Sequence, residues 1–182
     1  MNGVSVRVAT PADAHLLSVI ATTTFPLACP PSTTSEDIAK FCEAELSPDA
    51  FSRYLETGSY RLWLASVNGE AQGYLMAVAG NPDNPEIARA VALRPTVEVS
   101  KIYVYQTHHG GPVAHALLGA AVEWGRSLGA ASLWLGVNQL NERANRFYLR
   151  NGFAQVGVRS FLVGTSWEAD FVREKVLPQP RR

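Results

Sequence analysis

An Asn-Gly pair at positions 68 and 69 constrains the fold more than any other feature of this sequence. It separates two strand-like runs, residues 60–67 and 70–79. Asn and Gly adopt the positive φ angles that a two-residue hairpin turn needs, so the arrangement predicts a pair of antiparallel strands. We therefore expect a β-sheet that contains this hairpin.

The rest of the chain alternates between strand and helix patterns. Strands are predicted at 4–9, 96–105, 132–137, 154–164 and 167–176, and helices at 11–24, 35–46, 48–57, 112–128 and 141–153. Asn, Pro and Gly residues crowd the start of 80–95, which predicts a loop, and 177–182 is predicted to be a frayed end. The order predicts a mixed α/β sheet covered by helices, in a single domain over 1–182 with its core at about 4–177.

Composition narrows the function classes. Sixteen basic residues balance sixteen acidic ones, which leaves no basic excess for binding nucleic acid. No apolar run approaches the roughly 18 to 20 residues of a spanning helix, and no secretory leader opens the chain. We expect a cytoplasmic protein with no membrane partner. Cys29 and Cys42 lack metal-ligand spacing, so we predict reduced thiols and no metal site.

The stretch His-Gly-Gly-Pro-Val-Ala at 109–114 joins a predicted strand to a predicted helix. The first amides of a helix lack internal partners and lie at the positive end of its dipole, so such a turn can hold a phosphate. Pro112 fits the first helical position. The amides predicted to remain available are those of Gly110, Gly111, Val113 and Ala114. Taken alone, the turn could equally be a helix start without any ligand.

A second stretch makes this turn more informative. Residues 141–153 read N-x-x-A-x-x-x-Y-x-x-x-G-F. With Ile-Tyr-Val at 102–104 and the turn at 109–114, this resembles the GCN5-related N-acetyltransferases, and the resemblance spans nearly the whole chain. The sequence departs from the family pattern at two positions of the turn. His109 replaces the usual Gln or Arg, and Pro112 replaces the central glycine, which removes one amide.

The resemblance implies a fold and an activity. The fold would be the α+β acyl-CoA N-acyltransferase fold, a mostly antiparallel sheet of about seven strands flanked by helices. The activity would be transfer of an acetyl group from acetyl-CoA to a primary amine of a small molecule, by direct attack on the thioester. Residues 134–164 further resemble the bacterial spermidine/spermine acetyltransferases of the Pai type, which makes a polyamine one candidate acceptor.

Other functions stay open at this level. The acceptor could be an antibiotic, an amino acid or a protein N-terminus, and the protein could be an acyl-CoA-binding sensor without turnover. Many members of the family dimerise, so a homodimer is one expectation.

Two residues are predicted to carry the proton transfers. By resemblance, Tyr148 protonates the departing CoA thiolate; the alternative is that it only packs beside Phe147. An alkyl amine with a pKa near 10.4 must lose a proton before it attacks, and Glu98 is the candidate base. It lies six residues before Val104, so strand alternation predicts that both face the same side. The alternative is an ordinary exposed acid.

The cofactor is predicted to bind in a gap between two strands. The Val104 N–H would contact the thioester oxygen, and Ile102 and Val104 would pair with pantetheine as an added strand pairs with a sheet edge. Gly136 and Asn138 suit such a gap between 97–105 and 132–137. The predicted cofactor-binding residues are Ile102, Tyr103, Val104, His109, Gly110, Gly111, Pro112, Val113, Ala114 and Asn141. For Asn141, a plain helix N-cap is the alternative.

Five further residues receive weaker assignments. His108 and His115 are predicted to be surface histidines. Glu43, Glu45 and Asp49 could attract the charges of a polyamine or form a solvated acidic face.

Overall fold

The computed structural model describes residues 3–178, and seven strands form one sheet in it. The strands are β1 (Val4–Val8), β2 (Tyr60–Val67), β3 (Glu70–Ala79), β4 (Thr96–Val104), β5 (Ser132–Asn138), β6 (Ala154–Val163) and β7 (Ser166–Val176). They lie in the order β1-β2-β3-β4-β5-β7-β6. Only the β4–β5 pair is parallel among these neighbours. This confirms the predicted mixed fold with a mostly antiparallel sheet.

Six α-helices accompany the sheet in the described residues. They are α1 (Ala14–Thr24), α2 (Ser35–Glu45), α3 (Pro48–Glu56), α4 (Pro85–Ala90), α5 (Pro112–Ser127) and α6 (Glu142–Arg150). Each helix predicted from the sequence is present, with ends that differ by a few residues. Of the predicted frayed end, 179–182 lies outside the described residues.

The predicted hairpin is confirmed at its turn. Asn68 and Gly69 have φ angles of 53° and 84°, and Val67 pairs with Glu70 across the turn. Both central residues have the positive φ that a tight turn matching the twist of the strands requires.

The predicted loop at 80–95 is wrong in its middle, where α4 lies. The Asn84 side chain accepts hydrogen bonds from the N–H groups of Glu86 and Ile87, at 2.9 and 3.3 Å. Pro85 takes the first helical position. The same Asn-Pro pair that breaks a strand pattern is therefore also an N-cap followed by a favourable first residue.

Alternation along β2 places its side chains in two different cores. On β2, Trp63 and Ala65 join the core beneath α5, whereas Leu62 and Leu64 join the core beneath α1, α2 and α3. The helices thus cover both faces of the sheet and leave the ends of β4 and β5 to border the site.

A bulge interrupts the alternation on β4. Met76 pairs with Lys101, and the next residue of β3, Ala77, pairs with Val99. The register therefore skips Ser100, and β4 carries one residue more than β3 over this stretch. A bulge of this kind reverses the side to which the following residues point.

The bulge corrects one sequence prediction. Val97, Val99 and Val104 all belong to the core beneath α5. Glu98, between the first two, therefore points to the opposite side of the sheet from Val104. The expectation that Glu98 and Val104 share a face was wrong because it assumed unbroken alternation.

Candidate active site

The site begins where two neighbouring strands separate. Within the described residues, β4 and β5 pair at three positions, from Thr96–Ser132 to Glu98–Trp134, although both strands continue further. Hydrogen bonds close the paired end: Thr96 Oγ1 lies 2.9 Å from Ser132 Oγ, which donates to Glu174 Oε1 at 2.6 Å. Beyond Glu98 the strands diverge and leave the predicted gap.

Backbone groups of β4 face this gap. The Tyr105 N–H donates to the Gln72 carbonyl at 2.9 Å, and Gly73 pairs with Val104. Antiparallel pairs alternate between hydrogen-bonded and non-bonded positions. The N–H groups of Val104 and Ile102 therefore point away from β3, toward the diverging β5. They are available to a ligand that lies along the gap.

A cavity of about 470 Å³ occupies the gap and its surroundings. It brings together most of the residues predicted from the sequence, from both sides of the sheet. The predicted residues that line it are Glu98, Ile102, Tyr103, Val104, His109, Gly110, Gly111, Asn141, Ala114 and Tyr148. Pro112 and Val113 do not line it, because Val113 is fully buried in the core and Pro112 is exposed.

The glycine turn before α5 has the predicted backbone shape but one fewer free amide. Gly110 has a φ angle of +76°, which favours glycine. The Gly111 N–H donates to the His108 carbonyl at 3.2 Å. The prediction that the Gly111 amide is available is therefore wrong, because the turn itself uses it.

His109 connects this turn to the gap. Its Nε2 lies 2.9 Å from the Val104 carbonyl oxygen, and its Nδ1 contacts the Arg143 guanidinium. Burial and the adjacent Arg143 lower the pKa of His109, which favours a neutral ring with Nε2–H as donor. Both ring nitrogens are thus engaged within the protein, and the charge beside the turn comes from Arg143.

Three arginines of α6 line the cavity, and the sequence analysis did not identify them. Arg143, Arg146 and Arg150 are spaced three and four residues apart, which places them on one face of the helix. The spacing is visible in the sequence, but that these side chains line the cavity follows only from the position of α6 beside the glycine turn. The result is a positively charged side to the cavity.

Tyr148 is both a packing residue and a lining residue. Its ring meets Phe147 and Phe153 edge-on, with centroids 5.4 and 5.8 Å apart, and the side chain borders the cavity. Burial raises the pKa of Tyr148. The phenol therefore keeps its proton at neutral pH.

Glu98 is not an ordinary exposed acid. Its side chain is 27% exposed and lies 3.9 Å from the Arg159 guanidinium, measured between Oε1 and Nη1. Burial raises the pKa of Glu98, and the positive charges of Arg159 and Lys101 oppose that rise. A carboxylate with a raised pKa is a better proton acceptor at neutral pH.

Arg159 is a second feature that sequence reasoning missed. Its Nε lies 3.2 Å from Asp170 Oδ2; the Asp170 side chain is buried and that of Arg159 is mostly buried. Its guanidinium occupies the space that a side chain at Gly136 would need. Gly136 was predicted to suit the gap between the strands; in the structure its lack of a side chain makes room for Arg159.

Asn141 has the capping role that was its alternative. Its Oδ1 accepts a hydrogen bond from the Ala144 N–H at 3.1 Å, and the residue also lines the cavity. Nearby, Asn138 Oδ1 accepts from the Leu140 N–H at 2.9 Å. These two asparagines fix the backbone between β5 and α6.

The five residues with weaker assignments differ in whether they line the cavity. Glu43, Glu45 and Asp49 are exposed and are not among the residues that line the cavity. His115 is exposed as predicted and His108 is half-buried, and both line the cavity.

Two absences can be stated for residues 3–178. In that range, no three or more His, Cys, Asp or Glu side chains are grouped so that they could hold a metal ion. Every helix of the same range is too short or too polar to cross a lipid bilayer.

Known proteins resemble this chain in sequence and in fold. Residues 28–153 match the acetyltransferase (GNAT) family. An uncharacterized N-acetyltransferase of Mycobacterium tuberculosis is 38% identical over 169 residues, which cover 91% of this chain and 98% of the relative. An uncharacterized N-acetyltransferase of Lactobacillus delbrueckii is 28% identical over 97% of this chain and 99% of its own length.

A solved structure extends the comparison to the fold. The PaiA N-acetyltransferase of Thermoplasma acidophilum, in complex with coenzyme A, superposes with a TM-score of 0.75. It covers 96% of this chain and 99% of its own, at 15% identity. At that identity the likeness supports the fold and does not identify the polyamine subfamily.

Proposed function

Because this chain belongs to the acetyltransferase (GNAT) family and is an N-acetyltransferase of that type, we propose that it transfers an acetyl group from acetyl-CoA to a primary amine of a small molecule. The observation that carries the proposal is the gap between β4 and β5. Backbone N–H groups of Ile102 and Val104 face it, and the buried phenol of Tyr148 borders it.

The residues around the gap suit a CoA thioester. Acetyl-CoA supplies the acetyl group as an activated thioester. Ile102 and Val104 would bind the pantetheine arm through their backbone, as a sheet edge binds an added strand. The turn at Gly110 and the guanidinium of Arg143 would bind the phosphates, since helix N-termini and arginines both favour anions.

Glu98 would remove a proton from the acceptor ammonium. Its carboxylate lies across the sheet from Val104, so one or two waters in the gap would relay the proton. The neutral amine nitrogen then forms the new C–N bond, and the C–S bond of the thioester breaks. The Val104 N–H would stabilise the negative charge on the carbonyl oxygen.

Tyr148 would donate its proton to the thiolate that leaves. The raised pKa of this phenol keeps the proton in place until the thiolate forms. These roles explain why a buried acid and a half-buried base border one cavity, an arrangement that a CoA sensor without turnover does not need.

A polyamine is one acceptor that the site could take. The observation in its favour is that the side chains of Glu98, Glu168 and Asp170 line the cavity. Carboxylates attract the ammonium groups of a polyamine. Glu98 and Asp170 also contact Arg159, so only part of this negative charge would be free for such a ligand.

The test is release of free thiol from acetyl-CoA across a panel of primary amines. We expect Tyr148→Phe to lower kcat by about 100-fold, because general acid catalysis contributes about that much, while Kd for CoA stays unchanged. The matched control is Tyr74→Phe. Tyr74 is fully buried, and its hydroxyl has no hydrogen-bond partner within residues 3–178, so that variant should retain wild-type turnover.

Two results would contradict the proposal. Wild-type turnover in Tyr148→Phe would remove the acid role. No thiol release with any amine, despite tight CoA binding, would indicate a sensor.

A further inference from the structure

We propose that the acceptor is a monoamine carried on an aromatic or similarly flat apolar group, which four rings on one wall of the cavity select. This inference rests on the proposed N-acetyltransferase function and specifies its acceptor. Its two supports are the geometry of the rings and the pairing of the charges around them.

The four rings come from four parts of the chain. Phe25 directly follows α1, Phe41 lies on α2, Tyr103 on β4 and Phe161 on β6, and all four line the cavity. We call this set the ring wall. Because the sheet and two helices each contribute to it, the wall is part of the fold and does not depend on one loop.

Contacts within the ring wall fix its shape. The rings of Phe25 and Phe41 stack with centroids 4.4 Å apart and an interplanar angle of 12°. Phe161 meets Phe41 edge-on at 5.8 Å, and Tyr103 meets Phe25 edge-on at 6.2 Å. Stacked and edge-on pairs of this kind are favourable arrangements of aromatic rings. The wall therefore offers an ordered apolar surface to a ligand.

A hydrogen-bonded carboxylate holds the two sides of the ring wall together. Asp37 on α2 accepts hydrogen bonds from the Thr165 N–H at 2.6 Å, the Thr165 hydroxyl at 2.8 Å and the Ser166 hydroxyl at 2.9 Å. Thr165 and Ser166 lie at the turn between β6 and β7. This link ties α2, which carries Phe41, to the hairpin that carries Phe161, so the wall is pre-formed.

The carboxylates beside the ring wall are already engaged. Asp170 lies 3.2 Å from Arg159, and Glu98 lies 3.9 Å from the same guanidinium. Glu168 Oε1 accepts a hydrogen bond from the Thr33 hydroxyl at 2.9 Å. A second or third ammonium of a polyamine would therefore have to compete with Arg159 for its partners.

Two resident cations strengthen this argument. The Arg159 guanidinium lies 5.0 Å from the centroid of the Phe161 ring, and the Lys101 ammonium lies 5.4 Å from that of Tyr54. Both Arg159 and Lys101 line the cavity. These two positive charges offset two of the three carboxylates at the cavity, so little negative charge is left for a polycation, and a single amine with an apolar body fits better.

The experiment compares three probe amines: 2-phenylethylamine, which has a ring and one amine; propylamine, which has one amine only; and spermidine. We expect kcat/KM for 2-phenylethylamine to exceed that for each of the others by about tenfold or more, the discrimination typical of an apolar pocket. Phe41→Leu should remove most of that preference and leave KM for acetyl-CoA unchanged. The matched control is Phe51→Leu, because Phe51 is a fully buried ring of the same core that does not line the cavity.

The outcomes distinguish this inference from the proposed function. If kcat/KM for spermidine or propylamine equals that for 2-phenylethylamine, the inference is overturned and the proposed function still stands. Equal loss of preference in Phe51→Leu and Phe41→Leu also overturns it. Calorimetric binding of 2-phenylethylamine to the CoA complex without turnover supports the inference and contradicts the function. If 2-phenylethylamine is neither bound nor acetylated, the inference is overturned.

Discussion

Replacing Arg159 by Met should destabilise the protein in a pH-dependent way. The substitution keeps an apolar stem beside Gly136 but removes the guanidinium, which lies 3.2 Å from Asp170 Oδ2. The Asp170 side chain is 6% exposed, so its charge would be left buried without a partner. Burial already raises the pKa of Asp170, and Arg159 opposes that rise; the variant loses the opposing charge.

The loss of unfolding free energy in Arg159→Met depends on whether Asp170 stays charged or becomes protonated. Breaking a buried ion pair costs about 3 to 5 kcal/mol when the remaining group stays charged. Asp170 can protonate instead, at about 1.4 kcal/mol per pH unit above its unfolded pKa of about 3.9. The loss relative to wild type should therefore be small near pH 4 and at most about 1.5 kcal/mol at pH 5, because burial already raises the pKa of Asp170 in the wild type. It should approach the full 3 to 5 kcal/mol by about pH 8.

The sign is fixed by the direction of the pKa shift. A carboxyl whose folded-state pKa lies above its unfolded value destabilises the fold increasingly as pH rises from the unfolded pKa to the folded one. Urea unfolding of wild type and Arg159→Met at pH 5 and pH 8 measures this difference. Arg159→Met combined with Asp170→Asn should recover most of the loss at pH 8, because the neutral amide carries no charge to bury.

An exposed ion pair of the same length provides the control. Arg146 Nη1 lies 3.2 Å from Glu142 Oε2, with side chains 62% and 81% exposed. Arg146→Met should cost less than about 1 kcal/mol at either pH. An equal loss in Arg159→Met at pH 5 and pH 8, or no recovery with Asp170→Asn, would refute the electrostatic reasoning.

Three other substitutions test separate parts of the account. Glu98→Gln should shift the pH profile of kcat/KM upward, toward the pKa of the amine itself, and an unchanged profile would assign the base elsewhere. In Gly73→Ala, the added Cβ would lie 2.7 Å from the Tyr103 carbonyl oxygen. The variant should therefore be destabilised by about 1 to 3 kcal/mol in urea unfolding and should bind CoA more weakly; wild-type stability would contradict that contact. Hydrogen bonds to Asp37, with the largest effect from the Thr165 N–H, lower its pKa. Their contribution to stability is therefore full above the unfolded pKa of Asp37 and declines as pH falls from that value toward the lower folded pKa. Asp37→Asn should thus lower Tm relative to wild type by more at pH 7 than near pH 3. An equal difference in Tm at both pH values would argue against this role.

Local patterns in the sequence were enough to predict much of the fold. The turn at Asn68-Gly69, the glycine turn before α5 and the helix of residues 142–150 each depend on neighbours within a few positions. Short-range backbone preferences determine such features, so one sequence suffices. The gap between β4 and β5 followed from the family resemblance.

Features set by packing at a distance were not predictable. The bulge at Ser100 depends on the register between β3 and β4, and it moved Glu98 to the other face of the sheet. Arg159 lies on β6, and its guanidinium reaches the site across β7, beside Gly136 of β5. A residue on an edge strand carries no sign of this in its own sequence neighbourhood.

The central claim is that the gap between β4 and β5 binds CoA, and calorimetric titration of the protein with CoA tests it most directly. We expect saturable binding, with a Kd between about 1 μM and 1 mM, the usual range for an enzyme and its substrate. Arg143→Ala should weaken that binding without unfolding the protein. Absence of any binding at millimolar CoA, in a protein that remains folded, would contradict the account.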